Sequence, residues 1–196
     1  MLRRQAKAEL RKRRRALRNS MPEGACGARS EKIVQRIVES APFARSTALA
    51  LFWPMLERKE VDVRPLDRVA RDRGMRVAYP YLDDDAVMTL LVCEPSLLEE
   101  RGHGFAEPPP NAPEIEVDEG LLVIVPALAV DPTGQRIGYG RGLYDRLLER
   151  IAPPAFALAV VYDFELAAEL PVTEGDVTVD MVVTDARTFL SERPRP

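Results

Sequence analysis

Apolar side chains recur every three to four residues at the start of the chain, then give way to short uninterrupted apolar runs. Leu2, Ala6, Leu10 and Leu17 fall on one face at helical spacing, so residues 2–19 are expected to form an amphipathic helix. Arg3, Lys7, Arg11, Arg14 or Arg15, and Arg18 make up the adjoining row. Ser20 followed by Glu23 has capping-box spacing and predicts a second helix over about 21–40, with Ile33, Val34, Ile37 and Val38 on its apolar face. Gly24 and Gly27 weaken its first turns.

Beyond Pro42, apolar runs at 47–52, 76–79, 87–93, 121–125, 156–161 and 181–184 predict strands. Charged segments at 63–73 (closed by Gly74), 142–151 and 164–170 predict helices between them. Asp83-Asp84-Asp85 marks a turn, and 95–118, with Gly102, Gly104 and five prolines, an irregular excursion with one helical turn at most. Strands alternating with helices imply a single α/β domain over 1–196, with a mostly parallel sheet covered on both faces. No internal repeat or linker divides the chain.

Composition adds exclusions. Hydrophobic (46%) and charged (30%) contents are ordinary for a soluble chain, and no apolar run approaches the ~20 residues of a membrane span. The basic start lacks the apolar stretch of a secretory signal, and the scarcity of Ser and Thr before Ser20 is unlike an organelle presequence. Cys26 and Cys93 are far apart and form no C-x-x-C pair, which fits a reducing cytoplasm and no disulfide framework. Charge is uneven: residues 1–18 carry nine Lys/Arg against Glu9, a net of +8, so a total of −3 leaves −11 on the remainder. Such an arm suits nucleic-acid binding, a solvated helix face, or a phosphate clamp folded back on its own domain.

The densest chemistry lies in VPALAVDPTGQRIGYGRGLYDRLL, which runs from the strand at 121–125 through a turn at Asp131-Pro132-Thr133-Gly134 into a helix. Gly138, Gly140 and Gly142 occupy alternate positions, where backbone N–H groups can approach a ligand ahead of a helix N-terminus. Arg136 and Arg141 add cations, so the segment reads as an anion site for nucleotide phosphates rather than a bare crossover turn. It is not a P-loop, and Leu143 stands where the dinucleotide fingerprint needs glycine. Taken alone, Asp131 is a turn initiator and Asp145 a helix-dipole partner; beside phosphates, such carboxylates also hold Mg²⁺. Glu60 sits between a strand end and a helix start, where ligands of parallel sheets bind. Trp53 reads as a core or lid residue and His103, the single histidine, as an exposed loop residue. The scarcity of general acid/base candidates favours phosphoryl transfer, which runs on positioning and electrostatics, over acyl hydrolysis.

The chain resembles the 5-formyltetrahydrofolate cyclo-ligase family. PALAVDPTGQRIGYGRGLYD at 126–145 is similar to the family signature PGLAFD-x-x-G-x-RLGYGGGYYD. In family order come Lys7-Ala8-Glu9-Leu10-Arg11, Glu60-Val61-Asp62, Gly104-Phe105-Ala106-Glu107-Pro108 and Asp176-Val177-Thr178-Val179-Asp180. The resemblance implies ATP-driven cyclisation of 5-formyltetrahydrofolate to 5,10-methenyltetrahydrofolate, with Mg²⁺ as cofactor and ADP and phosphate as products. It implies ATP contacts from Lys7, Arg11 and the run Arg136, Ile137, Gly138, Tyr139, Gly140, Arg141, Gly142, Leu143 and Tyr144, with Arg136 and Arg141 catalytic. It further implies folate contacts from Met55, Leu56, Glu60 and Tyr139, and Mg²⁺ ligation by Asp145 and Asp180. The basic helix would then pack back on its own domain, leaving a cytoplasmic monomer with small-molecule partners and no nucleic acid or membrane. Ala127, Val130, Arg141 and Leu143 depart from the signature, and the changes at Val130 and Leu143 are the sequence support for a non-catalytic folate- or nucleotide-binding relative.

Overall fold

Alternation within each strand sorts the core into two layers. In the computed structural model, which describes residues 2–192 without the Glu23 side chain, the strands are β1 (Ala48–Ala50), β2 (Arg76–Leu82), β3 (Met88–Val92), β4 (Leu121–Pro126), β5 (Phe156–Val160), β6 (Met181–Val183) and β7 (Thr188–Leu190). Ala48, Ala50, Val123, Val125, Ala157 and Ala159 face one side, where α5 (Leu143–Ile151) packs Leu147, Leu148 and Ile151. Leu49, Leu122, Ile124 and Leu158 face the other, against α2 (Glu23–Val38), α3 (Ala41–Arg45) and α4 (Pro65–Asp72). The small residues on the α5 side let that helix lie close to the strands.

The sheet order is β7-β6-β5-β4-β1-β2-β3. The strands from β6 through β2 pair in parallel, and β3 and β7 close the two edges antiparallel. From β1 the chain moves to β2 on one side, while β4 pairs with β1 on the other. That reversal opens a crevice beyond the carboxyl ends of β1 and β4, where doubly wound sheets bind ligands. The α/β class, the mostly parallel sheet and its cover on both faces are as the periodicity predicts.

The basic helix α1 (Leu2–Asn19) is docked by its cations. Arg18 is 2% exposed, and its guanidinium donates to Glu165 Oε1 at 2.6 Å and Oε2 at 2.9 Å and to the Ala127 carbonyl, beside the Tyr162 ring. Arg14 donates to the Phe164 carbonyl at 2.9 Å, Arg11 to the Gly138 carbonyl at 3.0 Å and Arg3 to the Val172 carbonyl at 3.1 Å. The helix is therefore folded back onto the domain.

Several local expectations are corrected. The second helix starts at Glu23 with Pro22 as N-cap and no side-chain cap, because the Ser20 hydroxyl donates back to the Leu17 carbonyl. Residues 164–170 are not a helix: only a single 3-10 turn, Asp163–Glu165, forms, with the buried Glu165 committed to Arg18 and to the Tyr162 N–H. The closing strand β7 carries no apolar run of its own and is held by pairing with β6. Within 95–118, a 3-10 turn (Pro95–Leu97) and a two-stranded ribbon, Glu99–Glu100 with Ala106–Glu107, give the excursion its shape.

Removing one partner of a buried pair strands the other charge, at a cost of about 3–5 kcal/mol. Arg18→Met is expected to lower the unfolding free energy by that amount in urea titration. A loss below about 1 kcal/mol would show that Glu165 is not dependent on it.

Candidate active site

The crevice is a cavity of about 660 Å³ with four kinds of wall. Phe52, Trp53 and Met55, just past β1, and Pro126 at the end of β4 form the floor. The glycine loop and the first turn of α5 form one side, α1 supplies Arg4, Lys7 and Arg11 from another, and His103, Gly104 and Phe105 of the excursion complete the rim.

The glycine loop owes its path to backbone freedom. Gly140 has φ 102°, a conformation that favours glycine, and a Cβ there would lie 3.2 Å from the Arg11 guanidinium and push it back from the loop. Gly142, with φ 64°, is the N-cap of α5 and turns the chain into the helix. Arg11, bonded to the Gly138 carbonyl, ties α1 to this loop. Arg141 is exposed at the rim, while Leu143, Tyr144 and Asp145 bring the positive end of α5 to the cavity.

Asp145 is held by Arg136. The Arg136 guanidinium, whose side chain is 4% exposed, donates to Asp145 Oδ1 at 2.8 Å and to the Val177 carbonyl, and the Val177 N–H donates to the same Oδ1 at 3.3 Å. Burial pulls Arg136 below its ordinary pKa, and the Asp145 charge opposes that shift. Among the described residues, the hydrogen bonds to Asp145 fall on Oδ1 and leave Oδ2 for a ligand.

Glu60 is 4% exposed. Its Oε1 accepts from the Tyr139 hydroxyl at 2.6 Å and its Oε2 from the Met55 N–H at 2.8 Å. Burial pushes its pKa up from 4.5, against those two hydrogen bonds and the charges of Arg18 and Arg58. Burial also raises Tyr139 and Tyr144, with the Glu60 charge adding to both, so both hydroxyls stay protonated donors at neutral pH. Arg58 lies over the Tyr139 ring, 5.7 Å from its centroid. Trp53 packs edge-on to Tyr79 with centroids 6.1 Å apart.

Of the residues expected at the site, Lys7, Arg11, Met55, Glu60, Arg136, Gly138, Tyr139, Gly140, Arg141, Gly142, Leu143, Tyr144 and Asp145 line this one cavity. Three do not. Ile137 is 1% exposed and packs with Leu128, Ala129 and Leu170. Leu56 is 42% exposed at the start of a 3-10 turn, off the cavity wall. Asp180 sits at the opposite end of the sheet: it precedes β6 and its Oδ2 accepts from the Ala157 N–H at the start of β5. Asp176, four residues earlier, lines the cavity in its place. His103 is on the rim rather than free in solvent, a position that only the return of the excursion over the cavity reveals. Asp131 is a turn initiator: its Oδ1 accepts from Thr133 and Gln135, and its Oδ2 from the Leu170 N–H. Val130 is wholly buried in the core, so that departure from the signature lies outside the cavity.

Fold and cavity together define an α/β ligand-binding enzyme with a cationic, glycine-lined half and an aromatic, acidic half. The family model for the 5-formyltetrahydrofolate cyclo-ligase family matches residues 3–185, and the chain belongs to that family. It is similar to the 5-formyltetrahydrofolate cyclo-ligase of Mycolicibacterium smegmatis, 38% identical over 61% of this chain and 65% (just under two thirds) of that one. It is 28% identical to the Escherichia coli K12 enzyme of the same name over 92% of this chain and 98% of that one. Among solved structures, Aquifex aeolicus 5,10-methenyltetrahydrofolate synthetase superposes with a TM-score of 0.82 at 28% identity, covering 97% of this chain and 95% of that one. The chain is accordingly an enzyme of the ATP-dependent cyclo-ligase class, acting in folate one-carbon metabolism.

Because burial raises the Glu60 pKa, folding favours the protonated acid. That contribution is complete below the unfolded value of 4.5 and is lost as pH rises through the folded one. Glu60→Gln is therefore expected to melt above wild type at pH 7, with the gap closing toward pH 4. A gap that stays constant with pH would contradict a raised Glu60 pKa.

Proposed function

We propose that this chain closes 5-formyltetrahydrofolate to 5,10-methenyltetrahydrofolate in the cavity between α1 and the glycine loop, spending ATP on the formyl oxygen. The observation that carries this reading is one cavity holding both halves of the requirement. Lys7, Arg11, Arg141 and the amides of 138–142 line one side, and Glu60, Tyr139, Met55 and Trp53 the other.

The chemistry explains why both are needed. A formyl oxygen on nitrogen is a poor leaving group, so attack by the second folate nitrogen stalls. Transfer of the γ-phosphoryl group to that oxygen, with ADP leaving, gives an iminium-like phosphate ester. The second nitrogen then attacks the formyl carbon and loses its proton, and the carbon–oxygen bond breaks to release inorganic phosphate. Phosphoryl transfer asks mainly for positioning and charge. Lys7 and Arg11 come from one helix face, and Arg141 from the rim. Glu60 and the Tyr139 hydroxyl bonded to it contact the folate, with Met55 against its ring.

Asp145 suits Mg²⁺ because, among the described residues, the hydrogen bonds to it fall on Oδ1 and leave Oδ2 to a ligand. The described residues contain no cluster of three His, Cys, Asp or Glu able to hold a metal unaided, so the ion would share its shell with the nucleotide phosphates. Mg²⁺ held there by Asp145 would supply charge neutralisation at the phosphates. Arg136 orients Asp145 through one terminal nitrogen and reaches the Val177 carbonyl through the other, while lining the same cavity. We also read the whole chain as one domain acting as a cytoplasmic monomer on small molecules, without nucleic acid. No helix of the described residues is long and apolar enough to cross a membrane.

Protein mixed with MgATP and 5-formyltetrahydrofolate is expected to show the rise in near-ultraviolet absorbance of the methenyl product, and no rise would contradict the reading. Asp145→Asn is expected to cut turnover about 10²-fold and flatten the magnesium response, whereas a wild-type response would remove Asp145 from the metal site. Lys7→Ala is expected to raise the ATP KM while leaving folate binding intact, and an unchanged ATP KM would return α1 to a purely structural role.

A further inference from the structure

The folate half of the cavity has two ends, and the sheet sets the distance between them. Trp53, Met55 and Glu60 follow β1, whereas Met88 opens β3, and β2 lies between those two strands. Two strand spacings separate the ends by about 10 Å. From one to the other, Pro80, Met88, Phe105 and Leu143 give the cavity an apolar wall. Leu143 stands where the family signature has a tyrosine, which makes that wall more apolar. At the far end is Arg146, exposed and on the cavity rim. Its Nη1 donates to the Arg141 carbonyl at 3.1 Å, and its Nη2 reaches the Ala86 carbonyl at 3.5 Å. The guanidinium thus spans from the first turn of α5 to the turn between β2 and β3. Among the described residues it meets no carboxylate, and two bonds to carbonyls leave most of its five N–H donors for an anion.

An apolar slot of that length, ending in a guanidinium without a counter-charge, fits an aryl group that carries a carboxylate. Resting on the folate reading of the same cavity, we infer that Arg146 binds the glutamate carboxylates at the end of 5-formyltetrahydrofolate, with the p-aminobenzoyl ring lying along Met88, Phe105 and Leu143. Charge closes the other directions to that tail. Toward α1 and the glycine loop it would run into the phosphates of the nucleotide. Toward Glu60 it would bring two more anions to a carboxylate that is already buried. Arg58 is also exposed on this side, but it lies over the ring of Tyr139, whose hydroxyl is bonded to Glu60. It therefore stands at the pteridine end, across the cavity from Arg146. Arg146 in this account sets substrate preference and takes no part in phosphoryl transfer or ring closure.

Turnover of 5-formyltetrahydrofolate and of 5-formyltetrahydropteroate, which lacks the glutamate, tests this in the full chain at saturating MgATP. Wild type is expected to prefer the glutamate-bearing substrate about fivefold in kcat/KM, and that preference to shrink as ionic strength rises. Arg146→Gln is expected to abolish the preference by raising the KM for 5-formyltetrahydrofolate, without a rise in the ATP KM. Arg146→Lys keeps a charge but not the planar fork, and is expected to restore part of the preference. Wild type that uses both substrates equally well would overturn the inference. So would an Arg146→Gln protein that melts like wild type and keeps the preference. A loss that falls equally on both substrates, or on ATP, would overturn it too, since Arg146 would then shape the wall or hold phosphate. Should glutamine disturb the contact with Ala86, the wild-type comparison and the Arg146→Lys variant give the same readout. Wild type that turns over neither substrate would instead contradict the cyclo-ligase reading of the cavity.

Discussion

A guanidinium in an apolar interior must find a counter-charge, and Arg18 finds Glu165 at the foot of α1. That pair fixes one end of a helix that carries nine cations on residues 1–18 and lies against a remainder of net charge −11. With the end fixed, the row Arg14, Arg11, Lys7 and Arg3 runs across the domain at helical spacing: Arg14 meets the Phe164 carbonyl, Arg11 the Gly138 carbonyl, and Lys7 and Arg3 the one loop at 172–176. Without α1 the cavity would lose the wall that carries Arg4, Lys7 and Arg11.

The walls divide labour by how tightly each charge is held. Arg136 is buried and bonded to Asp145 and Val177, so it shapes the cavity wall. Arg141 is exposed and free to follow a ligand at the rim. Lys7 stands between these extremes, buried but on a flexible stem and bonded to a carboxylate that shares the cavity. On the opposite wall, Glu60 is kept in place by the Tyr139 hydroxyl and the Met55 N–H although burial disfavours its charge. A strained carboxylate of this kind costs stability and gains a group ready for a hydrogen-bonding substrate.

Long periodic segments were legible in the sequence, and so was most of the cavity. The helix at 2–19, the strand after 121 and the glycine loop are local patterns, and a β-strand that empties into alternate glycines can be read without tertiary information. What escaped was decided by distant contacts. The acidic motif from Asp176 to Asp180 offers two aspartates four residues apart, and only the position of β6 against β5 decides that Asp180 anchors the far end of the sheet. Ile137 sits among loop glycines yet faces Leu128 and Leu170, because alternation along its short strand turns every second side chain inward. Residues 164–170 have helical composition, but Glu165 is drawn to Arg18 from 147 positions away and a helix does not develop. His103 joins the rim only because the excursion folds back over the cavity.

The account is tested most directly by amide hydrogen exchange on the full chain with and without MgADP. Slower exchange is predicted together in two separate segments, the loop at 138–142 and the α1 turns that carry Lys7 and Arg11. Slower exchange at the loop with α1 unchanged would contradict the claim that the nucleotide is held between them.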